Sequence, residues 1–297
     1  MKSAIAWART IAIDKTTVTD YLELTKPSVT ALILMSTLVG FFMAVHGAWN
    51  FILLMNTLIG TALVAASAAA ANHYLEVDSD AKMRRTEMRP LPAGRLHPNS
   101  ALTFSLALAT LGTVYLFVAV NLLTCALGAL TWASYLFLYT PMKRRTTYCT
   151  FVGAFPGAFP ILMGWTAARG TLDVGGWVLC AILFIWQFPH FYAIAWMYRE
   201  DYQRGGIQML PITDAPGTIR QVLAYSAALI PVSLLPVVLG MAGYWYAAGA
   251  LALGAYFFYS GVRLSQVGTA GQARMLLKAS IIYLPLVYTL LMLDKRG

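Results

Sequence analysis

Charge is scarce in this chain. Asp, Glu, Lys and Arg make up only 11% of its 297 residues, against 59% hydrophobic, and mean hydropathy is positive. Soluble domains carry about 25% charged residues, so no soluble domain is expected. Cysteine is scarce as well. Cys125, Cys149 and Cys180 are scattered through apolar stretches without a CxxC or Cys/His spacing, which excludes a zinc site or a disulfide framework. A secretory signal pattern is lacking, so residues 1–27 read as a cytoplasmic N-terminal segment before a single transmembrane domain over 28–297. The net charge of +9 invites a nucleic-acid reading. The cations lie at the ends of apolar runs, where they report membrane topology instead, and no nucleic-acid partner is expected.

What the chain has in quantity is long apolar runs. A helix needs about 20 such residues to cross the hydrocarbon core. Nine stretches qualify: 28–46, 51–72, 101–119, 121–140, 149–168, 175–197, 221–241, 244–262 and 277–293. The expected fold is an all-α integral membrane protein with nine transmembrane helices. Alternating them leaves only Arg169, Lys295 and Arg296 of the 21 Lys and Arg on one side, and only Asp173 and Asp294 of the 12 acids. The positive-inside rule makes the crowded side cytoplasmic, with the N-terminus there and the C-terminus opposite. Such a protein belongs in a bacterial cytoplasmic (inner) membrane, with the lipid bilayer as its surroundings. Polar chemistry is expected at the cytoplasmic mouth.

There the residues after the second run are unusual. Glu76, Asp78 and Asp80 crowd within five positions, followed by Lys82, Arg84, Arg85 and Arg89. Crowded carboxylates repel unless a cation sits between them. Asn72, Glu76 and Asp80 are four apart and share a helix face; Asp78 points elsewhere. Oxygen donors without His or Cys suit Mg2+, completed by phosphate oxygens. Arg85 and Arg89, also four apart, suit a phosphate clamp.

A fainter echo comes after the sixth run, with Tyr198, Glu200, Asp201 and Arg204. Asp201 and Arg204 form either a local ion pair or, through Asp201, a second metal-binding carboxylate facing the first loop. Lys143, Arg144 and Arg145 are either a topology anchor or part of a diphosphate clamp. Inside the sixth run, Trp186, Gln187, Pro189 and His190 place polar groups within the membrane, where such groups face a cavity or satisfy one another. Gln187 and His190, three apart, are expected on one face.

Several ordered motifs carry a resemblance: Leu24-Thr25-Lys26-Pro27, Asn72 with Glu76 and Asp80, Met83-Arg84-Arg85-Thr86 through Arg89-Pro90-Leu91, Tyr139-Thr140-Pro141 through Arg145-Thr146, Trp186 through Phe191, and Tyr198 through Pro211. Together they resemble the UbiA superfamily of intramembrane prenyltransferases and, within it, the branch that farnesylates heme B. Glu76 stands where that superfamily's first loop has its first Asp. The second loop lacks the paired Asp of quinone-type relatives. The resemblance implies a UbiA-type bundle with a central cavity opening to the cytoplasmic side. It implies Mg2+ on Glu76, Asp80, Asp201 and Asp78, with Asn72 completing the catalytic set. Lys26, Arg85, Arg89, Lys143, Arg144, Arg145 and Arg204 would bind the diphosphate of farnesyl diphosphate. His190, His73, Gln187, Trp186 and Tyr198 would receive heme B, and a downstream heme A synthase or oxidase assembly factor would take the product.

Three readings compete with it. A sister prenyltransferase acting on a quinone precursor shares the first loop. A transporter of a divalent cation or organic anion would carry midplane charges in broken helices. A non-catalytic oxidase assembly factor would not need the acidic motif.

Overall fold

The computed structural model describes residues 15–296. The N-terminal cations Lys2 and Arg9 lie outside the described residues. Helices dominate. After a short helix Lys15–Leu24 come α1 (Pro27–Ala44), α2 (Phe51–Leu75), α3 (Pro98–Ala119), α4 (Leu122–Met142), α5 (Cys149–Arg169), α6 (Val174–Met197), α7 (Ala215–Val238), α8 (Tyr244–Val267) and α9 (Ala270–Leu293). All but α8 are long and apolar enough to cross a membrane. In α8, tyrosines 244, 246, 256 and 259 together with Arg263 dilute the apolar character.

The helix ends obey local chemistry. Asn50, Asn121 and Asp173 cap α2, α4 and α6 by accepting from backbone N–H groups, and Pro27 and Pro98 open α1 and α3. Two starts differ from the hydropathy reading. Helix α7 begins at Ala215 and not near 221, because the Asp214 side chain accepts from Gly217 N at 2.7 Å. Helix α9 begins at Ala270 and not near 277, capped by Thr269. Both first turns are polar, and a hydropathy window misses them.

Helices α5 and α6 form the interior. Helix α5 crosses α1 where both backbones nearly touch. A Cβ on Gly40 would lie 2.0 Å from Ile161 O, and one on Gly164 would lie 1.9 Å from Thr37 O. Helix α6 lies against α5, α7 and α9, and α2 lies against α3. The charges collect at the two ends very unequally. At one end, Lys295 donates to Phe42 O and Val45 O, and Arg169 pairs with Asp173 at 3.0 Å. At the other end, the loops after α2 and α6 meet. Arg84 N donates to Asp201 Oδ1 at 3.2 Å, and Gln208 N donates to Lys143 O at 2.7 Å.

Candidate functional site

The site begins where α2 ends. Glu76 leaves helical geometry at φ −105°, ψ 8° and starts the one-turn helix Val77–Asp80. The hydrogen-bond ladder continues across this break, with Glu76 N to Asn72 O at 3.0 Å and Asp80 N to Glu76 O at 2.8 Å. Asn72, Glu76 and Asp80 therefore keep their shared face, and all three are buried. Asp78 lies off this face and is exposed.

Each of these groups holds a cation from elsewhere in the chain. Lys143 Nζ lies 2.8 Å from Glu76 Oε1. Arg89 Nη1 donates to Asp80 Oδ2 at 2.7 Å. Lys26 Nζ donates to Asn72 Oδ1 at 2.8 Å, while Asn72 Nδ2 reaches Thr140 Oγ1 at 3.5 Å. Burial alone would lower the Lys143 ammonium, but the Glu76 carboxylate outweighs it and holds the group well above an ordinary lysine. Burial alone would raise Glu76, but Lys143, its bond to Glu76 and then Lys26 outweigh that and hold the carboxyl below its ordinary value. Among the described residues no carboxylate pairs with Lys26. Burial, then Arg89 and Lys143, lower it to about 7.

Lys143 reaches Glu76 because α4 is not regular. Residues Ser134–Tyr139 form a π-helical turn. Pro141 has no N–H to give, and both the Thr140 N–H and its hydroxyl turn to Tyr135 O, the hydroxyl at 2.8 Å. A π turn carries one extra residue, which rotates the rest of the helix by roughly 100°. Tyr139 then lies beneath Lys143, 4.6 Å from ring centroid to Nζ. Gly153 leaves room for that ring; a Cβ there would lie 2.5 Å from it.

The second loop is built differently. Asp201 sits on the short helix Arg199–Arg204. It accepts from Arg84 N and pairs with Arg204 three residues on. Arg85 lies over the rings of Tyr198 and Tyr202 at 5.2 and 5.8 Å. Arg85 and Arg89 thus do not form one clamp: the intervening chain is turns and not helix, so each faces a different loop. Tyr198 is a platform for Arg85. Arg144 and Arg145 are exposed, and only Lys143 of that cluster enters the site. Among the described residues no three His, Cys, Asp or Glu side chains converge as a metal cage. Glu76 and Asp80 alone, one turn apart, fit a hard cation that takes one or two carboxylates and leaves its other positions to water and phosphate.

Deeper in α6 the expected shared face of Gln187 and His190 splits between two neighbours. Gln187 Nε2 donates to Ala154 O and Leu183 O at 3.0 and 3.2 Å, and Gly157 makes space for it. Three residues leave the two side chains about 60° apart around the helix, and with α5 and α9 both packed against α6 Gln187 meets α5 while His190 meets Ser280 of α9. Gln187 bolts two helices together. Trp186 Nε1 donates to Ser280 O at 3.0 Å and its ring stacks on His190. His73 is buried, and among the described residues neither ring nitrogen has a hydrogen-bond partner. Sequence reasoning gave Thr140, Tyr139, Tyr202 and Ser280 no role. Pro141 inside a helix signalled the π turn; the others are long-range partners with no local signature.

A membrane-embedded helical bundle with buried acid–cation pairs at one mouth defines a class of multi-pass integral membrane proteins, and known structures share the fold. A digeranylgeranylglyceryl phosphate synthase superposes with a TM-score of 0.79 at 17% identity, covering 93% of this chain and 98% of that one. A UbiA homolog from Archaeoglobus fulgidus bound to GPP and Mg2+ superposes with a TM-score of 0.70 at 14% identity, covering 92% and 99%. The chain belongs to the UbiA prenyltransferase family, whose model matches residues 33–289. It is 54% identical over 289 residues to a protoheme IX farnesyltransferase of Solibacter usitatus, spanning 94% of this chain and 99% of that protein. A protoheme IX farnesyltransferase of Koribacter versatilis is 43% identical over 93% of each chain.

Proposed function

We propose that this chain transfers the farnesyl group of farnesyl diphosphate to a vinyl group of heme B, with addition of water, giving heme O and diphosphate. The observation that carries the reading is the set of buried acids that already hold cations: Glu76 with Lys143, and Asp80 with Arg89. An arriving diphosphate offers those cations a better partner, and freed carboxylates are what a divalent ion needs. Mg2+ held on Glu76 and Asp80 supplies charge neutralisation at the leaving group. Lys143, Arg89 and Lys26 turn from their acids and from Asn72 onto the diphosphate oxygens. Asn72, fixed by Thr140, orients Lys26. Preorganised positive charge at a leaving group is a large catalytic contribution.

The C1–O bond of the substrate breaks, and diphosphate leaves with the electron pair. Carbon C1 then forms a bond to the heme vinyl group, and water adds to the resulting cation with loss of a proton. Tyr139 lies under Lys143 and presents a ring face near the departing group, where an allylic cation is stabilised. The chain acts as one transmembrane domain over 28–297 with nine spans. The site end and N-terminus face the cytoplasm, the C-terminus lies opposite, and a cavity opens at the site. A bacterial inner membrane suits it, with a heme A synthase or oxidase assembly factor receiving heme O. The cation distribution supports this orientation.

The test supplies purified protein with Mg2+, farnesyl diphosphate and heme B and looks for heme O by mass. Heme O is expected. Prenylation of 4-hydroxybenzoate with heme left unchanged would assign the chain to a quinone-type branch instead.

A further inference from the structure

Between Asp214 and Asp294 the chain has no acidic residue, yet Arg220, Arg263, Arg274 and Lys278 fall there. The fold gathers them at one end of α7, α8 and α9. Helix α8 packs against both of the others. Only Gly268 and Thr269 link α8 to α9, so Arg263 and Arg274, five positions from that turn on either side, come level. Toward α7, a Cβ on Gly261 would lie 3.2 Å from Val222 Cγ1 and 3.4 Å from Ser226 Oγ, which brings Arg263 within about a turn of Arg220. Trp196 Nε1, near the end of α6, donates to Gly268 O at 3.1 Å. The α8–α9 turn is thereby held at the same end as the loops after α2 and α6.

Counter-charge is missing at this level. Among the described residues Arg263, Arg274 and Lys278 have no ion pair. Arg220 has only Asp214 at 3.7 Å, and Asp214 also caps α7. The Nε of Arg263 is shut away from solvent without a hydrogen bond, and a shielded guanidinium is costly without an anion. Arg274 and Lys278 are one turn apart and exposed. Lys278 stands eight residues into α9, about 12 Å, from where its stem carries the ammonium back to the headgroup level. Farther into the membrane the outward surface turns apolar. Tyr256 and Tyr259 lie on the stripe of Arg263, and Ile281 and Ile282 follow Lys278; all four are exposed. Cations that only set topology need neither a shared level nor a shielded nitrogen.

We infer that this face of α7, α8 and α9 holds an anionic phospholipid, its phosphate taken by Arg263, Arg274 and Lys278 with Arg220 at the edge, and its acyl chains lying along Tyr256, Tyr259, Ile281 and Ile282. A charged level bordered by an exposed apolar one matches a lipid, and neither a soluble phosphate nor an acidic protein would use the apolar half. Helix α8 is the long helix that falls short of spanning hydropathy, and a lipid bridging it to α9 helps to hold it in the bilayer.

The experiment adds phosphatidylglycerol or phosphatidylcholine with the same acyl chains to the purified full chain in a non-ionic detergent. Bound lipid is counted by native mass spectrometry, with the unfolding midpoint as a second readout. The wild type is expected to prefer the anionic lipid and to be stabilised by it. Each of Arg263→Gln, Arg274→Gln and Lys278→Gln should cut that preference about fivefold, the scale for one basic residue at an anionic surface. Arg144→Gln combined with Arg145→Gln, exposed cations past the end of α4, should leave it unchanged. If Arg263→Gln does not fold, Arg274→Gln combined with Lys278→Gln, both at exposed positions, carries the test. Equal binding of the two lipids by the wild type, or a preference that survives the substitutions, overturns the proposal. An equal loss in the Arg144 and Arg145 variant also overturns it, by making the preference a general attraction of charge. Equal stabilisation by millimolar inorganic phosphate does so too, by marking a site for a soluble anion.

Discussion

The loops after α2 and α6 are four helices apart and meet at one end of the bundle, and each carries acids and arginines. Their acids are held in opposite ways. Glu76, Asp80 and Asp201 are all buried, but Glu76 takes Lys143 from just past the end of α4, and Asp80 takes Arg89 nine residues on. Asp201 takes a cation three residues away and a backbone N–H of the first loop. Burying a charge is costly unless it is paired, and long-range pairing of this kind gathers replaceable cations around one small volume. Local pairing does not. On the proposed function the first loop holds the chemistry, and the second holds the first loop in place.

Asp80→Ala should break this contrast most severely. Turnover is expected to fall by about 10^2–10^3-fold, as for loss of a group that stabilises transition-state charge, with the helical circular-dichroism signal retained. Lys143→Met comes next. It strands Glu76 as a buried unpaired charge, which costs about 3–5 kcal/mol and should appear as a lower unfolding midpoint. Adding Glu76→Gln should restore stability but not activity; recovery of both would make the pair merely structural. Asp201→Asn should cost only about tenfold in turnover, about 1.4 kcal/mol, while limited proteolysis within 81–97 accelerates.

A smaller effect is a pH dependence set by Lys26. Its ammonium is lowered to about 7 by burial and by Arg89 and Lys143, so it is charged below that pH and neutral above it. An anion favours the charged form, and inorganic diphosphate should bind with uptake of a proton above pH 7, weakening by up to about tenfold per pH unit. Calorimetry in buffers of different ionisation enthalpy measures that uptake, and Lys26→Met should abolish it. The smallest effect belongs to Arg144→Ala and Arg145→Ala. Both side chains are exposed, and steady-state kinetics should change by less than about threefold, in keeping with the small effects of surface substitutions.

Eight of the nine spans and the acid spacing were legible because both depend on helical period and hydropathy alone. Asn72, Glu76 and Asp80 stayed on one face even though the helix breaks at Glu76, since the hydrogen-bond ladder runs through the break. Pairing was not legible. The sequence marks Lys26, Arg89 and Lys143 as cations near a mouth, but which acid each meets depends on helix packing and, for Lys143, on a π turn that adds one residue to α4. The same limit separated Gln187 from His190, whose spacing suggested one face while their neighbours lie on two different helices.

The most direct test of the two-loop account is the binding of inorganic diphosphate to Asp80→Asn and Asp201→Asn, each measured with and without Mg2+. The account predicts that the enhancement by Mg2+ disappears in Asp80→Asn and survives in Asp201→Asn. An enhancement lost in Asp201→Asn and kept in Asp80→Asn would contradict it, placing the ion on the second loop.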